Sequence, residues 1–419
     1  MKRSIKQRWR LLLLVAFLAI SLQSCLGIGE NNPFQDKSTG INGGSIKVNT
    51  SSQAQWKGKI YFTLSRNLYV LDAKSLNLTR LTHNMDVRDP AVSPDGKWIA
   101  FINRSKNYSD LDYISTNPAD PTVHTVVTGN GRYIPGQEGG NTFYWFAQPA
   151  WSADSTQLLF LSDLQKGFIW ASLGPPYSRA AFLDLQVFSL PVDASLTAQE
   201  AIQQAQAIGY ATYGDGGNRD PSYRPGHPEQ AIYTTFHYDS TGTHQIVQIN
   251  IEDTTFLINQ PLRWSPNTTP AVALTPATND LVNFQPSFSP DGNTIAYVRR
   301  EDQTHMSIYT MPVAENVAND PNVPNFNPNS QTNLNNALLP YNTQSSKLLT
   351  NRYVSEPIWS PDGTQLLYYG FSNNTFDLYL VTLTKDSKTG AYSAKPDSQV
   401  QLTQANGQLD ADSRAVWTA

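Results

Sequence analysis

Cysteine is almost missing from this chain of 419 residues: Cys25 stands alone, so no disulfide framework is available and the fold must hold by its core. Charge is sparse too, at 15 % Asp, Glu, Lys and Arg, and the net of −4 offers no basic face of the kind nucleic acid requires. Catalytic signatures are absent: no His-Glu-x-x-His for a zinc hydrolase and no Gly-x-Ser-x-Gly elbow for an α/β-hydrolase. The six histidines are scattered; His237 and His244 could approach across one hairpin, and a satisfied surface pair is the expected arrangement. The stretch Tyr213-Gly214-Asp215-Gly216-Gly217-Asn218 has neither the strand-to-helix setting nor the lysine of a phosphate cradle. No cofactor and no metal are expected. Helical periodicity is weak, whereas 20 Tyr, 17 Phe and 9 Trp favour an all-β protein.

What the chain does contain is a repeat. Pro90–Ser93, Pro149–Ser152, Pro221–Arg224, Pro286–Ser289, Pro357–Ser360 and Ala415–Thr418 share a pattern of Pro or Ala, any residue, usually an aromatic, then Ser, Thr or a substitute. The spacings, about 59, 72, 65, 71 and 58 residues, are too long for helical solenoids and suit propeller blades with insertions. Three repeats continue as Ser-Pro-Asp-Gly, at Ser93, Ser289 and Ser360, which is tight-turn chemistry. A β-prone run follows each start, at Trp98–Ile102, Gln157–Leu161, Ala231–Phe236, Thr294–Val298 and Gln365–Tyr369, and third and fourth strands can be read after it. Four antiparallel strands per repeat make a blade.

The two ends complement each other. Lys59–Leu64, Asn67–Leu71 and Leu78–Thr82 read as second, third and fourth strands with no first, while Ala415–Thr418 is a first strand after which the chain stops. The expected fold is therefore a six-bladed β-propeller over residues 58–419, closed by pairing the C-terminal strand with the N-terminal strands, which removes the open sheet edge. The insertion Leu196–Ala207 reads as a short helix and Glu315–Gln344, dense in Asn and Pro, as an irregular loop.

Pro-x-Trp-Ser-Pro-Asp-Gly followed by Ile-Ala-Phe or Leu-Leu-Tyr resembles the WD40-like PD40 repeat of the TolB family, also found in the propellers of tricorn and prolyl-oligopeptidase-type proteases. The resemblance covers residues 58–419 and implies fold far more than activity. It also implies a Tol-Pal-like partner, although the family carries a separate N-terminal domain for which the segment before residue 58 leaves no room.

Residues 1–10 are basic and Leu11–Leu22 is an apolar run, so residues 1–24 read as a signal peptide. Leu22-Gln23-Ser24-Cys25 resembles the bacterial lipobox, which implies that Cys25 is lipidated and that the protein is extracytoplasmic and fastened to a cell membrane. Residues 25–57, rich in Gly, Asn, Ser, Thr and Gln, read as a flexible tether.

In a propeller the first strands line the central channel, so the residues just before the six starts, Asp89, Gln148, Asp220, Gln285, Glu356 and Arg414, are expected at one channel mouth. They could bind a cation, a sugar or a peptide end, or simply cap their own loops and pair with Arg88 and Arg219. Loops on the same face bring aromatics: Tyr133, Tyr144, Trp145 and Phe146, with Trp170 and Tyr177, either a binding platform or a small satellite core. Asp95, Asp291 and Asp362 are the carboxylates that the turns demand. The expected function is a non-catalytic protein-interaction or ligand-recognition module at the bacterial cell envelope, a monomer whose partner is an envelope protein or an extracellular ligand. The alternative is an extracellular glycoside hydrolase or lyase using the mouth carboxylates, with no catalytic residue assigned.

Overall fold

The computed structural model describes residues 34–36, 46–131, 142–164, 184–209, 211, 214–254, 271–278, 281–314, 317 and 331–419. Leu11–Leu22 and Cys25 lie outside the described residues. The chain is an all-β propeller of small antiparallel sheets. Sheet I joins Val416–Thr418 to Lys59–Leu64, Asn67–Asp72 and Leu78–Arg80. Sheet II comprises Val87–Val92, Trp98–Arg104, Ser109–Ser115 and Val123–Val127, and sheet III Phe146–Trp151, Gln157–Ser162, Gln186–Pro191 and Gln206–Ala207. Sheet IV takes Asn218–Arg224, His227–Tyr238, Gln245–Asp253 and Val272–Ala273, and sheet V Val282–Phe288, Thr294–Arg300, Met306–Pro312 and Ser346–Asn351. Sheet VI has five strands: Val354–Trp359, Gln365–Ser372 and Thr375–Lys385, with Tyr392–Ala394 and Val400–Gln401 both paired to the last of these. The first strands of sheets I to VI neighbour one another in cyclic order.

Two expectations change. The count of six is corrected to seven sheets of three or more strands among the described residues, the seventh joining Phe34–Asp36, Lys47–Asn49 and Thr403–Gln404. Residues 46–57, read as tether, therefore belong to the folded body: Ile46 and Val48 are fully buried and Trp56 packs edge-on against Trp417. Two apolar side chains in an otherwise polar stretch suffice because Thr403–Gln404, which follows the Val400–Gln401 strand of sheet VI, supplies the partner strand. The insertion before Ser346 is the second correction, since Gln331–Gln344 is a helix (α2) seated by Ala337 and Tyr341, with Pro340 inside it. The expected helix at Leu196–Ala207 is present as Ala198–Gln203 (α1), started by a Thr197–Glu200 capping box.

Closure is as expected: Lys59 pairs with Thr418, Ile60 with Trp417 and Tyr61 with Val416. The motif residues explain why the sheets hold together. In each of four turns a serine hydroxyl donates to the aspartate two residues on, Ser93 to Asp95, Ser152 to Asp154, Ser289 to Asp291 and Ser360 to Asp362, at 2.5–2.6 Å. The tryptophans weld neighbours, Trp151 Nε1 donating to Ala91 O at 2.9 Å, Trp359 to Ser287 O at 3.0 Å and Trp417 to Lys57 O at 2.7 Å. Where Arg224 replaces serine, its fully buried guanidinium spans to Gly292 O, Val313 O and Gln230 Oε1. Apolar side chains fill the wedges between adjacent sheets.

Candidate functional site

Five first strands carry the same irregularity. Their register slips across Asp89-Pro90, Gln148-Pro149, Asp220-Pro221, Gln285-Pro286 and Glu356-Pro357. A bulge of this kind re-aims one side chain. In each, the residue before proline has φ between 48° and 57°, a left-handed conformation that costs on the order of 1–3 kcal/mol per non-glycine residue. Arg414 closes the set with ordinary backbone, and its strand has alanine in place of proline.

The bulges bring the six together. Gln148 Nε2 donates to Asp220 Oδ1 at 2.9 Å while its Oε1 accepts from Asp220 N at 2.7 Å. Gln285 repeats this with Glu356, at 2.9 and 3.1 Å. Asp220 Oδ2 accepts from Thr234 Oγ1 and Gln285 N, and Asp89 accepts from Gln148 N and Arg414 N. The Arg414 guanidinium reaches across, donating to Pro149 O at 3.0 Å and Pro221 O at 3.1 Å. Ser413, unnoticed in the sequence, accepts from Asp89 N through Oγ at 2.7 Å, and its carbonyl accepts from Tyr369 Oη at 2.9 Å. Arg88 and Arg219 do not join the ring: Arg88 pairs with Asp410 at 2.9 Å, and Arg219 bonds Asn218 O beside Phe236.

Burial governs the electrostatics. Asp89, Asp220 and Glu356 are only 4, 4 and 7 % exposed. Loss of water pushes the Asp89 carboxyl up, with Arg414 pulling it back, and pushes Glu356 well above the usual carboxylate range, helped by the charges of Asp220 and Asp89. The ring thus disfavours full ionisation and ties its carboxylates into neighbouring donors.

The aromatic candidates divide. Tyr144 and Phe146 are each 2 % exposed and belong to the core, so the platform expected from them is withdrawn; Trp145, between them, is 36 % exposed. Tyr144 and Trp145 form the two-residue connection between the strands Thr142–Phe143 and Phe146–Trp151. Asp163 Oδ1 accepts from Trp145 N at 2.9 Å and fixes the backbone that presents the indole. Nearby, Tyr108, just ahead of the strand Ser109–Ser115, stacks at 5.9 Å on Phe143, which stands in the same aromatic run of the sequence and in the short strand Thr142–Phe143. Tyr133, Trp170 and Tyr177 lie outside the described residues. His237 and His244 do not pair: His237 Nε2 contacts Gln248 Oε1 and His244 Nδ1 contacts Asp239.

No family model matches the sequence, and a search of curated proteins finds no match. Solved structures do resemble it. TolB from Acinetobacter baumannii superposes with TM-score 0.51 at 14 % identity, covering 86 % of this chain and 66 % of that one, so this chain spans just under two thirds of that protein. A putative TolB from Agrobacterium tumefaciens aligns at 13 % identity and TM-score 0.42, over 84 % of this chain and 95 % of that one. An oligogalacturonate lyase in complex with manganese aligns at 11 % identity and TM-score 0.43, over 86 % and 82 %. Identities this low speak for fold alone, and by fold the chain is a TolB-like β-propeller.

Proposed function

We propose that this propeller is a non-catalytic recognition module of the bacterial cell envelope, fastened to a membrane by lipid on Cys25, which meets an envelope protein or extracellular ligand with the face around the ring. The observation that carries this reading is the burial of the mouth carboxylates. Each already accepts hydrogen bonds inside the ring and is more than nine-tenths buried, beneath a guanidinium tied to two carbonyls. A glycosidase needs a carboxylate pair open to substrate and water, at about 5–5.5 Å or 6.5–9.5 Å. Trp145, exposed on a fixed backbone, is the kind of rigid aromatic that anchors a partner.

The test is capture of envelope components by full-length protein in detergent, compared with Trp145→Ala. Loss of one specific partner with an unchanged melting curve supports recognition at this face, while capture that ignores Trp145 moves the surface elsewhere. Incubation with extracellular polysaccharides decides the competing reading. Chain cleavage that disappears in Glu356→Gln would establish an enzyme instead.

A further inference from the structure

The face opposite the ring is unevenly charged. The ring residues sit in the first half of their strands, and the strands then run to the Ser-Pro-Asp-Gly turns at the other end. Lys57 and Lys59 lie at that end, where Lys59 pairs with both Thr418 and Asp72, and Lys74 follows Asp72 in the next turn. Lys385, Lys388 and Lys395 lie on the hairpin extending sheet VI at the same end, with Lys385 Nζ 3.9 Å from the turn carboxylate Asp291. All six are exposed, and the side chains of Lys57, Lys59, Lys74, Lys388 and Lys395 have no ion pair among the described residues. The corresponding end of sheets III and IV carries Asp154, Asp193, Glu200 and Glu229 and no lysine among the described residues. Six lysines are thus gathered at one sector, where they outnumber the carboxylates Asp72, Asp362, Asp386 and Asp397, whereas sheets III and IV present carboxylates alone among the described residues at that end.

The chain also arrives at this sector. Phe34 pairs with Asn49, whose side chain donates to Gln401 O and whose N–H donates to Leu402 O, near the start of the strand that follows the lysine hairpin. Asp36 pairs with Lys47 at the far end, opposite Gln404. Cys25 precedes Phe34 by nine residues, which extended reach at most about 30 Å.

We infer that this lysine sector rests on an anionic lipid surface, which directs the ring face away from the membrane. The inference rests on the lipid-anchored reading given above. A short link holds the rim of sheets VI and I near the bilayer, and six exposed ammonium groups then meet the lipid phosphates within a Debye length of about 8 Å. Each lysine that reaches such a surface favours the orientation roughly fivefold, so three of them favour it roughly a hundredfold.

The test uses full-length protein bound to vesicles of phosphatidylcholine alone or rich in phosphatidylglycerol, with amine-reactive labelling read lysine by lysine by mass spectrometry. On the anionic vesicles Lys57, Lys59, Lys74, Lys385, Lys388 and Lys395 should label several-fold more slowly than on neutral ones, Lys106 at the ring end should not change, and high salt should abolish the difference. In K385Q/K388Q/K395Q, whose unchanged melting curve confirms folding, Lys57, Lys59 and Lys74 should regain neutral-vesicle rates. Equal labelling on both lipids, or protection centred on Lys106, overturns the inference. Failure to remain on neutral vesicles refutes the lipid anchor separately, because the lysine pattern on anionic vesicles still reads the sector by itself.

Discussion

Arg414→Gln probes the ring at the side chain that ties two other first strands together. The substitution removes both guanidinium hydrogen bonds, to Pro149 O and Pro221 O, together with the positive charge beside Asp89 and Glu356. Hydrogen bonds from a charged donor contribute about 1.5–3 kcal/mol each, and Arg414 is half-buried, so water can replace part of the loss; about 3 kcal/mol at neutral pH is the net expectation. With about 2 cal/mol/K of unfolding entropy per residue over roughly 370 residues, this lowers the melting temperature by about 4 °C. The pH dependence is the sharper readout. Both carboxyls have folded values above their unfolded ones of 3.8 and 4.5, and loss of Arg414 raises them further. A raised folded value costs stability as pH climbs through the window between the two, whereas below the unfolded value the carboxyl is protonated in both states. The difference between wild type and Arg414→Gln, by calorimetry, should therefore be larger at pH 7 than at pH 4, and Glu356→Gln on the same background should recover part of it. A penalty identical at both pH values would refute the electrostatic account of the ring.

Glu252 supplies a second titration. It is fully buried between sheets III and IV, accepts from Tyr233 Oη at 2.8 Å, and is pushed up to about 8 by burial. The folded chain holds one more proton than the unfolded chain from about 4.5 to 8, so stability falls across that window by up to roughly 1.4 kcal/mol per pH unit, and Glu252→Gln should flatten the slope measured by urea unfolding. Gly58→Ala tests closure sterically: φ there is +84° and a Cβ would lie 1.9 Å from Thr418 O. Clash added to a left-handed penalty of about 1–2 kcal/mol should exceed 3 kcal/mol and strip hydrogen-exchange protection from Ile60 and Trp417.

The turns and first strands were legible because their chemistry is local: proline, aspartate and glycine in fixed order, then a β-prone run. The complementarity of Lys59–Leu64 and Val416–Thr418 was legible by counting strands. The seventh sheet was not, since Phe34–Asp36 and Lys47–Asn49 are three-residue strands, too short for the Ile46-Lys47-Val48-Asn49 alternation to stand out, and they pair onto Thr403–Gln404. Helix α2 was hidden by Asn and Pro, its docking depending on Tyr341 against Arg299, 4.7 Å away. The six ring positions follow from the residue preceding each start, yet the left-handed backbone of five of them was invisible, because it is imposed by the bulge and not by glycine. Which of Tyr144, Trp145 and Phe146 faces solvent was not legible, because the first two lie in a connection between strands and have no period to follow.

The last strand delivers Arg414 to the ring, where it bonds Asp89, Pro149 and Pro221 of three other sheets. Lys59 and Thr418 stand directly opposite across that junction, a spacing within which paired cysteines can form a disulfide. In full-length K59C/T418C, mild oxidation should give an intramolecular crosslink, read as a single peptide linkage by mass spectrometry, together with a higher melting temperature. Free thiols at both positions, or crosslinks only between molecules, would contradict the closure.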